Sequence, residues 1–131
     1  MAGMMIPLPL TGARARIEDA RDGTLRIVRL ADGAPAGRIR LETAGPDLHV
    51  AALCIDVPAR GYGLGSEAAR LLREAAEAGP WDALTAWAPP GLGLAVYFWC
   101  RMGLRPLHGE GPGGGIGFRR ELRLPTRPSD P

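Results

Sequence analysis

The sequence predicts a single domain of the mixed α/β class, and three observations support this. Short apolar runs of strand length alternate with two segments of helical periodicity. Glycine and proline punctuate these runs, with 19 Gly and 13 Pro in the chain. A chain of 131 residues can bury one hydrophobic core but is short for two domains. The predicted order of elements is β-β-β-α-β-α-β-β.

The individual elements follow from their periodicity and from the residues that end them. Residues 1–24 are loosely patterned, with a short strand near Met5–Leu8 and a polar stretch after it. The first helix begins in a glycine-rich stretch and ends at Gly79-Pro80. The predicted strands are 24–30, 37–42, 48–57, 83–88, 103–108 and 116–124, and the second predicted helix is 94–102. We expect one domain over residues 1–124 and a flexible tail over 125–131.

The charged residues exclude several classes of function. All sixteen cations are arginine, since the chain has no lysine. The absence of lysine excludes a Walker phosphate loop, a Schiff-base lysine and a pyridoxal site. No run of basic residues is interleaved with aromatic residues, so the arginines are interpreted as solvated surface charge rather than a nucleic-acid surface.

The cysteines and the first residues bear on the compartment. Cys54 and Cys100 have no metal-ligand spacing to either histidine, so no structural zinc site is expected. Two unpaired thiols, expected to be buried, fit a reducing compartment. The start, MAGMMIPLPL, lacks a basic region and is interrupted by two prolines, so neither a signal peptide nor a membrane anchor is expected. We therefore expect a cytoplasmic protein.

The predicted strand 48–57 changes face part-way along. Leu48 and Val50 share one parity, whereas Leu53, Ile55 and Val57 share the other. One extra residue near Ala51-Ala52, a β-bulge, would produce this switch. A strand buried on both faces would also show apolar residues at both parities, so both interpretations stay open.

The sequence PARGYGLGSEAARLL, which opens the first predicted helix, has the composition of an anion site. Glycines let backbone N–H groups at a helix N-terminus approach an anion, and Arg60 can add a charge-assisted contact. Gly63, Gly65 and Ala68 fit the dinucleotide spacing G-x-G-x-x-A. That interpretation also needs an acidic residue at the end of the next strand, which instead ends in Trp87-Ala88-Pro89. We therefore reject a dinucleotide-binding fold.

In a second register, Arg60 to Gly65 reads RGYGLG, and here the chain resembles the GNAT superfamily of acetyl-CoA-dependent N-acetyltransferases. The family signature is [Q/R]-x-x-G-x-[G/A], between the fourth strand and the third helix. A second marker, AVYFWCRMGLRP, is similar to the family's A-x-x-F-Y-x-x-x-G-F ending. The two markers cover about residues 24–124 in the expected order. The continuation GSEAARLL is similar to the branch that acetylates protein N-termini.

The resemblance implies a mixed, mostly antiparallel central sheet with a bulged fourth strand and flanking helices. It implies that acetyl-CoA binds where the bulge splays the sheet, so that pantetheine pairs with strand backbone and the pyrophosphate lies on the glycine stretch. The cofactor-binding residues that it implies are Ile55, Val57, Arg60, Gly61, Tyr62, Gly63, Leu64, Gly65 and Ser66.

The catalytic acid departs from the family pattern. Relatives carry a tyrosine on the last helix that protonates the leaving thiolate, but the aligned residue here is Trp99. An indole N–H is no proton donor near neutral pH, so Trp99 is expected to be a core residue. Tyr97 is the candidate acid, although residues i and i+2 do not share a helix face.

Three residues are considered for the remaining chemistry. His49 is the candidate base, and its alternative is a strand histidine that is merely hydrogen-bonded. Asp56 could act as the base or could only brace the pyrophosphate turn. Cys54 could attack a thioester, but no histidine–cysteine spacing supports it. The resemblance implies direct attack by a bound amine, with catalysis mainly from positioning and from a backbone N–H that polarises the thioester carbonyl.

The sequence thus predicts an acetyl-CoA-dependent N-acetyltransferase acting on a primary amine, either a protein N-terminus or a small amine. The alternatives are a non-catalytic acyl-CoA-binding or interaction module and a structural subunit with an unused cradle. Relatives insert two helices between their first and second strands, and the residues before Thr24 are too few for these. The open side would expose apolar surface and a strand edge, so we expect a homodimer with strand 117–124 at or near the contact. No nucleic-acid or membrane partner is expected.

Overall fold

The computed structural model describes residues 6–88, 98–107 and 115–122. These residues form a sheet of eight strands with one long helix packed on one face. The strands are β1 Leu10–Thr11, β2 Ala15–Asp19, β3 Leu25–Arg29, β4 Pro35–Ala44, β5 Asp47–Ile55, β6 Ala83–Ala88, β7 Arg105–Pro106 and β8 Ile116–Glu121. Helix α1 spans Leu64–Ala78 and follows a 3₁₀ turn at Val57–Ala59, and residues 98–101 are also helical. The predicted tail, 125–131, lies outside the described residues.

The sheet is mostly antiparallel, as predicted. Its strand order is β1-β2-β3-β4-β5-β6-β8-β7. Neighbouring strands pair antiparallel except β5 and β6, which are parallel and are connected through α1. Two adjacent parallel strands need such a crossover, because a hairpin turn can only join antiparallel ones. Counted from β2, the bulged strand β5 is the fourth, and β1 is an additional short strand at the edge.

The N-terminal region differs from the prediction. The short strand expected near Met5–Leu8 lies instead at Leu10–Thr11, and Met5 is outside the described residues. The polar stretch that follows contains the strand β2, which the sequence analysis missed. Its outward Arg16 and the neighbouring Arg26 of β3 each form an ion pair with Glu18 at 3.1 Å. The pair between Glu18 and Arg26 crosses from β2 to β3, and cross-strand charge pairs support a strand whose own sequence is largely polar.

The core lies between α1 and one face of the sheet. The helix buries the apolar positions that its periodicity predicted, and these are Leu64, Ala68, Leu71, Leu72 and Ala75. They pack in one cluster with the inward side chains of the sheet, which include Ile17, Ile27, Ile39, Leu48, Val50 and Phe118. Gly79 caps the end of the helix, where the sequence also predicted it. None of the helices described is long and apolar enough to cross a membrane.

The face of the sheet opposite α1 carries charges rather than apolar side chains. Strands β2 and β3 follow each other directly across residues 20–24, so neither of the two family helices stands between them. The outward residues of β2, β3 and β4 include Arg16, Glu18, Arg26, Arg38, Arg40 and Glu42, and these form ion pairs with one another or with Asp22. Among residues 6–88, 98–107 and 115–122 this side is therefore open, as expected, but the expectation that it exposes apolar surface is wrong for these strands.

The two thiols also differ from the prediction. Cys54 and Cys100 are both free, but both are exposed rather than buried. Cys54 pairs with Arg38 of β4 and so shares the charged face of the sheet.

Candidate functional site

Strands β5 and β6 run together for only three residue pairs and then separate. The paired residues are Leu48 with Leu84, His49 with Thr85, and Val50 with Ala86. Beyond Val50 no further pairing between these two strands exists in the described part of the chain. The backbone groups of β5 that face β6 beyond that point are therefore available to a ligand.

The separation begins at a β-bulge. On the other edge of β5, Leu41 of β4 pairs with Val50 and Arg40 pairs with Ala52, so Ala51 is the extra residue. This confirms the bulge that the parity change predicted at Ala51-Ala52. A bulge bends its strand and increases the local twist. Strand β5 therefore remains paired with β4 as far as Ile55 while it leaves β6.

The glycine stretch that follows β5 forms the loop leading into α1. Gly61 has φ 88° and Gly63 has φ 76°, both in the left-handed region that favours glycine. Gly63 is the N-cap residue of α1, and no side chain caps this end of the helix. The first N–H groups of a helix have no partner within the helix, so those of α1 can receive an anion.

A cleft of ≈ 500 Å³ lies between this loop and the free part of β5. Its lining residues come from β5, the loop, the first turn of α1 and the helical residues 98–101, and they are Leu53, Cys54, Ile55, Ala59, Arg60, Gly61, Gly63, Leu64, Gly65, Ser66, Phe98 and Trp99. The structure therefore brings together most of the predicted cofactor-binding residues, which sequence analysis could group only by motif.

Gly65 keeps the start of α1 close to β5. A Cβ atom built on Gly65 would lie 3.3 Å from Cγ1 of Ile55 and 3.8 Å from Cε1 of Phe98. The first of these distances is tighter than ordinary van der Waals contact, so a side chain here would push the helix from the strand or fill the cleft. Glycine at this position thus preserves the width of the cleft.

Arg60 lies across the mouth of the cleft. Its Nε donates a hydrogen bond to the carbonyl oxygen of Ile55 at 3.0 Å. The side chain is exposed and has no ion pair with a carboxylate of the described residues. The bond to Ile55 fixes the guanidinium group while leaving its other N–H groups for a ligand.

Two of the predicted cofactor-binding residues lie differently from the rest. Val57 is not in the strand, which ends at Ile55, and belongs to the 3₁₀ turn with its side chain 69% exposed. The predicted strand boundary at Val57 is therefore wrong. The side chain of Tyr62 is 60% exposed and lines a second cleft on the other side of the loop.

His49 lies on the face of the sheet away from α1, beside the point where β5 and β6 separate. Its Nδ1 is 2.8 Å from Oγ1 of Thr85, and the histidine is partly buried. The sequence leaves two roles open for His49, a catalytic base or a strand histidine that is merely hydrogen-bonded. The hydrogen bond is present, and it orients the ring without using Nε2.

The aromatic residues of the last helix were predicted to divide between core and chemistry. Trp99 is 6% exposed and packs edge-to-face against Phe98, with ring centroids 5.0 Å apart and an interplanar angle of 78°. This confirms Trp99 as a core residue. The candidate acid Tyr97 lies outside the described residues, as does His108.

Sequence analysis missed two residues at the loop. Oε2 of Glu67 accepts hydrogen bonds from the backbone N–H groups of Arg14 and Ala15, each at 2.6 Å. The guanidinium group of Arg14 in turn lies at the glycine loop, with Nη1 3.4 Å from the carbonyl oxygen of Tyr62. No sequence signal joins these residues, because Glu67 lies more than fifty positions from either amide.

Comparison with known proteins identifies the fold. No protein-family model matches this sequence, and a search of curated proteins finds no match. Among solved structures, the GNAT-family acetyltransferase from Bacillus anthracis superposes with a TM-score of 0.68 at 12% identity, over 78% of this chain and 68% of that one. The ribosomal-protein-S18-alanine N-acetyltransferase from Escherichia coli gives 0.66 at 12% identity, over 90% and 76%. An acetyltransferase from Thermus thermophilus gives 0.62 at 23% identity, over 85% and 66%.

At these identities the likeness is one of architecture, and activity has to be argued from the site itself. The architecture agrees with the motifs in the loop and the last helix, and with the bulge that the parity of β5 predicted. The fold expected from the sequence is therefore confirmed, and this chain has the fold of the GNAT acetyltransferases.

Proposed function

We propose that this protein is an N-acetyltransferase that binds acetyl-CoA in the cleft beside β5 and transfers the acetyl group to a primary amine. The observation that carries the proposal is the separation of β5 from β6 directly next to the glycine loop. An open strand edge and an open helix N-terminus then adjoin one cleft. The three solved structures compared above are acetyltransferases, which supports the same assignment.

The residues of the cleft fit coenzyme A. Gly61 and Gly63, both at positive φ, present backbone N–H groups without a Cβ in the way, and Arg60 adds a cation for the pyrophosphate. The free backbone edge of β5 suits the amide groups of pantetheine, which pair as a strand would. Bound acetyl-CoA would supply an activated acyl group as its thioester. A backbone N–H of the free edge of β5 is the candidate group to polarise the thioester carbonyl.

The acceptor amine would approach from the charged face of the sheet, where His49 is located. An amine attacks as the free base, so its proton must leave during the reaction. In the tautomer whose Nδ1–H donates to Oγ1 of Thr85, the lone pair lies on Nε2 of His49, which can take that proton directly or through a water. Catalysis would depend mainly on positioning of the two reactants across the opening between the strands.

The leaving thiolate needs a proton donor, and Tyr97 is the candidate. Trp99 occupies the position that aligns with the family tyrosine, and its indole is buried against Phe98. Burial of Trp99 favours the second candidate function, a non-catalytic acyl-CoA-binding module that retains the cradle without the acid. Both candidate functions require the same cleft, but only the enzyme would turn over acetyl-CoA.

The open acceptor side favours a protein N-terminus as the amine. The face opposite α1 is a broad charged surface with no helix between β2 and β3, which can accommodate an extended chain. One of the neighbours in fold is named for acetylating an alanine of a ribosomal protein. A small amine would need a more enclosed pocket for recognition of its whole surface.

The proposal is tested by thiol release from acetyl-CoA in the presence of a panel of small amines and peptides with free N-termini. A direct measurement of CoA binding is run beside it. Release that depends on the peptide N-terminus supports the enzyme, and binding without release for any acceptor supports the binding module. Absence of both would overturn the assignment of the cleft.

A further inference from the structure

We propose that Arg14 is a second cation of the acyl-CoA site and contacts the diphosphate from the side opposite Arg60. The inference rests on the function proposed above, and it adds a residue that lies outside the sequence motifs. Arg14 belongs to the turn between β1 and β2, about fifty positions before the glycine loop. A role for Arg14 at the diphosphate would therefore give the N-terminal hairpin, formed by β1 and β2, a part in ligand binding.

The guanidinium group of Arg14 lies directly against the loop. Its Nη1 is 3.4 Å from the carbonyl oxygen of Tyr62, a long hydrogen bond. A Cβ atom built on Gly63 would lie 2.8 Å from the same Nη1. The cation thus stands within contact distance of the residue whose left-handed backbone opens the first turn of α1.

The pattern of ion pairs separates Arg14 from most arginines of the sheet and helix. The arginines that form ion pairs with carboxylates are Arg16, Arg26, Arg29, Arg38, Arg40, Arg70, Arg73, Arg119 and Arg120. Within the described ranges Arg14 and Arg60 form no such pair, although both lie at the same loop. Two cations at one loop without a carboxylate partner provide charge for an anionic ligand.

The shape of the surface supports the same arrangement. Arg14 lines a second cleft of ≈ 700 Å³, which shares Gly61, Gly63 and Leu64 with the cleft beside β5. The glycine loop is therefore a common wall between two clefts, with Arg60 on one side and Arg14 on the other. A diphosphate bound at the rim that the two clefts share, over the first N–H groups of α1, would lie within reach of both cations.

Glu67 is the positioning residue for Arg14. Its carboxylate is 10% exposed and accepts two backbone hydrogen bonds of 2.6 Å, from Arg14 and Ala15. A Cβ atom built on Gly12 would lie 2.7 Å from Oε2 of Glu67, so this close approach requires a residue without a side chain. Because Glu67 is in the first turn of α1, the hairpin and the loop are held as one unit.

The test is calorimetric titration of the full chain with CoA and with dephospho-CoA, which keeps the diphosphate and lacks the 3′-phosphate. Arg14→Ala is expected to raise the Kd for both ligands about tenfold, the size of a hydrogen bond between charged groups. Arg21→Ala is the matched control, since Arg21 is exposed, forms no ion pair with a described residue and lies at the other end of β2. Its Kd should equal that of the wild type.

The outcomes separate this inference from the proposed function. Wild-type protein that binds neither ligand contradicts the proposed function itself. If the wild type binds and Arg14→Ala has an unchanged Kd, the role of Arg14 alone is overturned. A loss of affinity for CoA but not for dephospho-CoA overturns the assignment to the diphosphate.

Arg14→Gln, which keeps the length of the side chain, repeats the test should the alanine variant not fold. Glu67→Ala should raise the Kd for both ligands and Glu67→Gln should restore it in part, since the amide oxygen still accepts a hydrogen bond.

Discussion

Nδ1 of His49 lies 2.8 Å from Oγ1 of Thr85, across the pair of parallel strands that separate one residue later. The bond joins the strand on each side of the opening and sets the plane of the imidazole ring. Since Nδ1 is engaged, Nε2 is the ring nitrogen that can meet an acceptor amine. A hydrogen-bonded strand histidine and a catalytic base are thus compatible descriptions of the same residue.

If His49 takes the proton of the amine, His49→Gln should lower kcat by about 10²–10⁴-fold, the usual contribution of a general base. The affinity for CoA should not change, because His49 does not line the cleft beside β5. Thr85→Val removes the orienting hydroxyl and should lower kcat by less than His49→Gln does. Steady-state kinetics of the wild type and both variants measures both effects. Wild-type turnover in His49→Gln would show that the base is another group or a water.

Tyr97 and Trp99 should respond differently to replacement by phenylalanine. Tyr97→Phe removes the phenol and should lower turnover by about 10²–10⁴-fold with nearly unchanged CoA affinity. Trp99→Phe shortens a buried side chain and should lower the free energy of unfolding by about 1–3 kcal/mol. Chemical denaturation and thiol-release kinetics on both variants distinguish packing from proton transfer. Full activity in Tyr97→Phe would remove this residue as the acid.

Arg119 links β8 to the start of β5 and should make stability depend on acid. Its Nη1 is 2.7 Å from Oδ2 of Asp47, and its Nε is 2.5 Å from Oε1 of Glu121. The hydrogen bond from Arg119 holds the pKa of the Glu121 carboxyl below its ordinary value. A carboxyl whose pKa is lower in the folded state stabilises the protein at pH values above its unfolded-state pKa. This stabilisation is lost as the pH falls through the folded-state pKa.

We therefore expect thermal stability to decline as the pH falls below about 4.5, the ordinary pKa of a glutamate. Arg119→Ala should also lower the free energy of unfolding at neutral pH by about 1–3 kcal/mol. The substitution leaves the Asp47 carboxylate without the Arg119 guanidinium group, and the Asp47 side chain is only 14% exposed. Denaturation of both proteins at neutral pH and again below the ordinary glutamate pKa measures this. If the free energies of unfolding of the wild type and Arg119→Ala differ by the same amount at both pH values, the titration of Glu121 is not the cause.

The homodimer stays a prediction, and the structure changes the reason for it. The outward side chains of β2, β3 and β4 are ion-paired charges, so apolar burial across that face is no longer the argument. Among the described residues, strand β7 pairs only with Phe118 and Arg119, which leaves part of the outer edge of β8 for a second copy. Light scattering at high micromolar concentration should return twice the 13.9 kDa mass of the chain. A mass of one chain would contradict the dimer and leave the acceptor face open to solvent.

Features with a local cause were predictable from the sequence, and those with a distant cause were not. Helix α1 has its apolar periodicity, its stop signal and its glycine-rich start within one stretch of chain. The bulge in β5 was predictable because the apolar residues of that strand change parity at the bulge. Strand β2 has few buried apolar residues, and its outer face depends on the pairing of Glu18 with Arg26 of another strand. The contact of Glu67 with Arg14 joins two segments that only the folded chain brings together. The exposure of Cys54 likewise depends on where β5 lies beyond the bulge.

The glycine loop gives the most direct test, because Gly63 can be changed without loss of the helix. Asp and Asn both tolerate left-handed backbone. A Cβ atom on Gly63 would lie 2.8 Å from Nη1 of Arg14, but this atom is the far end of a flexible side chain and can move aside, so Gly63→Asp and Gly63→Asn should fold. The aspartate places a negative charge at the open N–H groups where phosphate oxygens would bind, whereas the asparagine is its neutral match. Thermal melts verify that both variants keep the wild-type fold.

The decisive measurement is calorimetric titration of CoA into the wild type and these two variants. The wild type should bind CoA, Gly63→Asn should bind it more weakly, and Gly63→Asp should show no binding. An unchanged CoA affinity in a folded Gly63→Asp protein would contradict the assignment of the glycine loop as the acyl-CoA site.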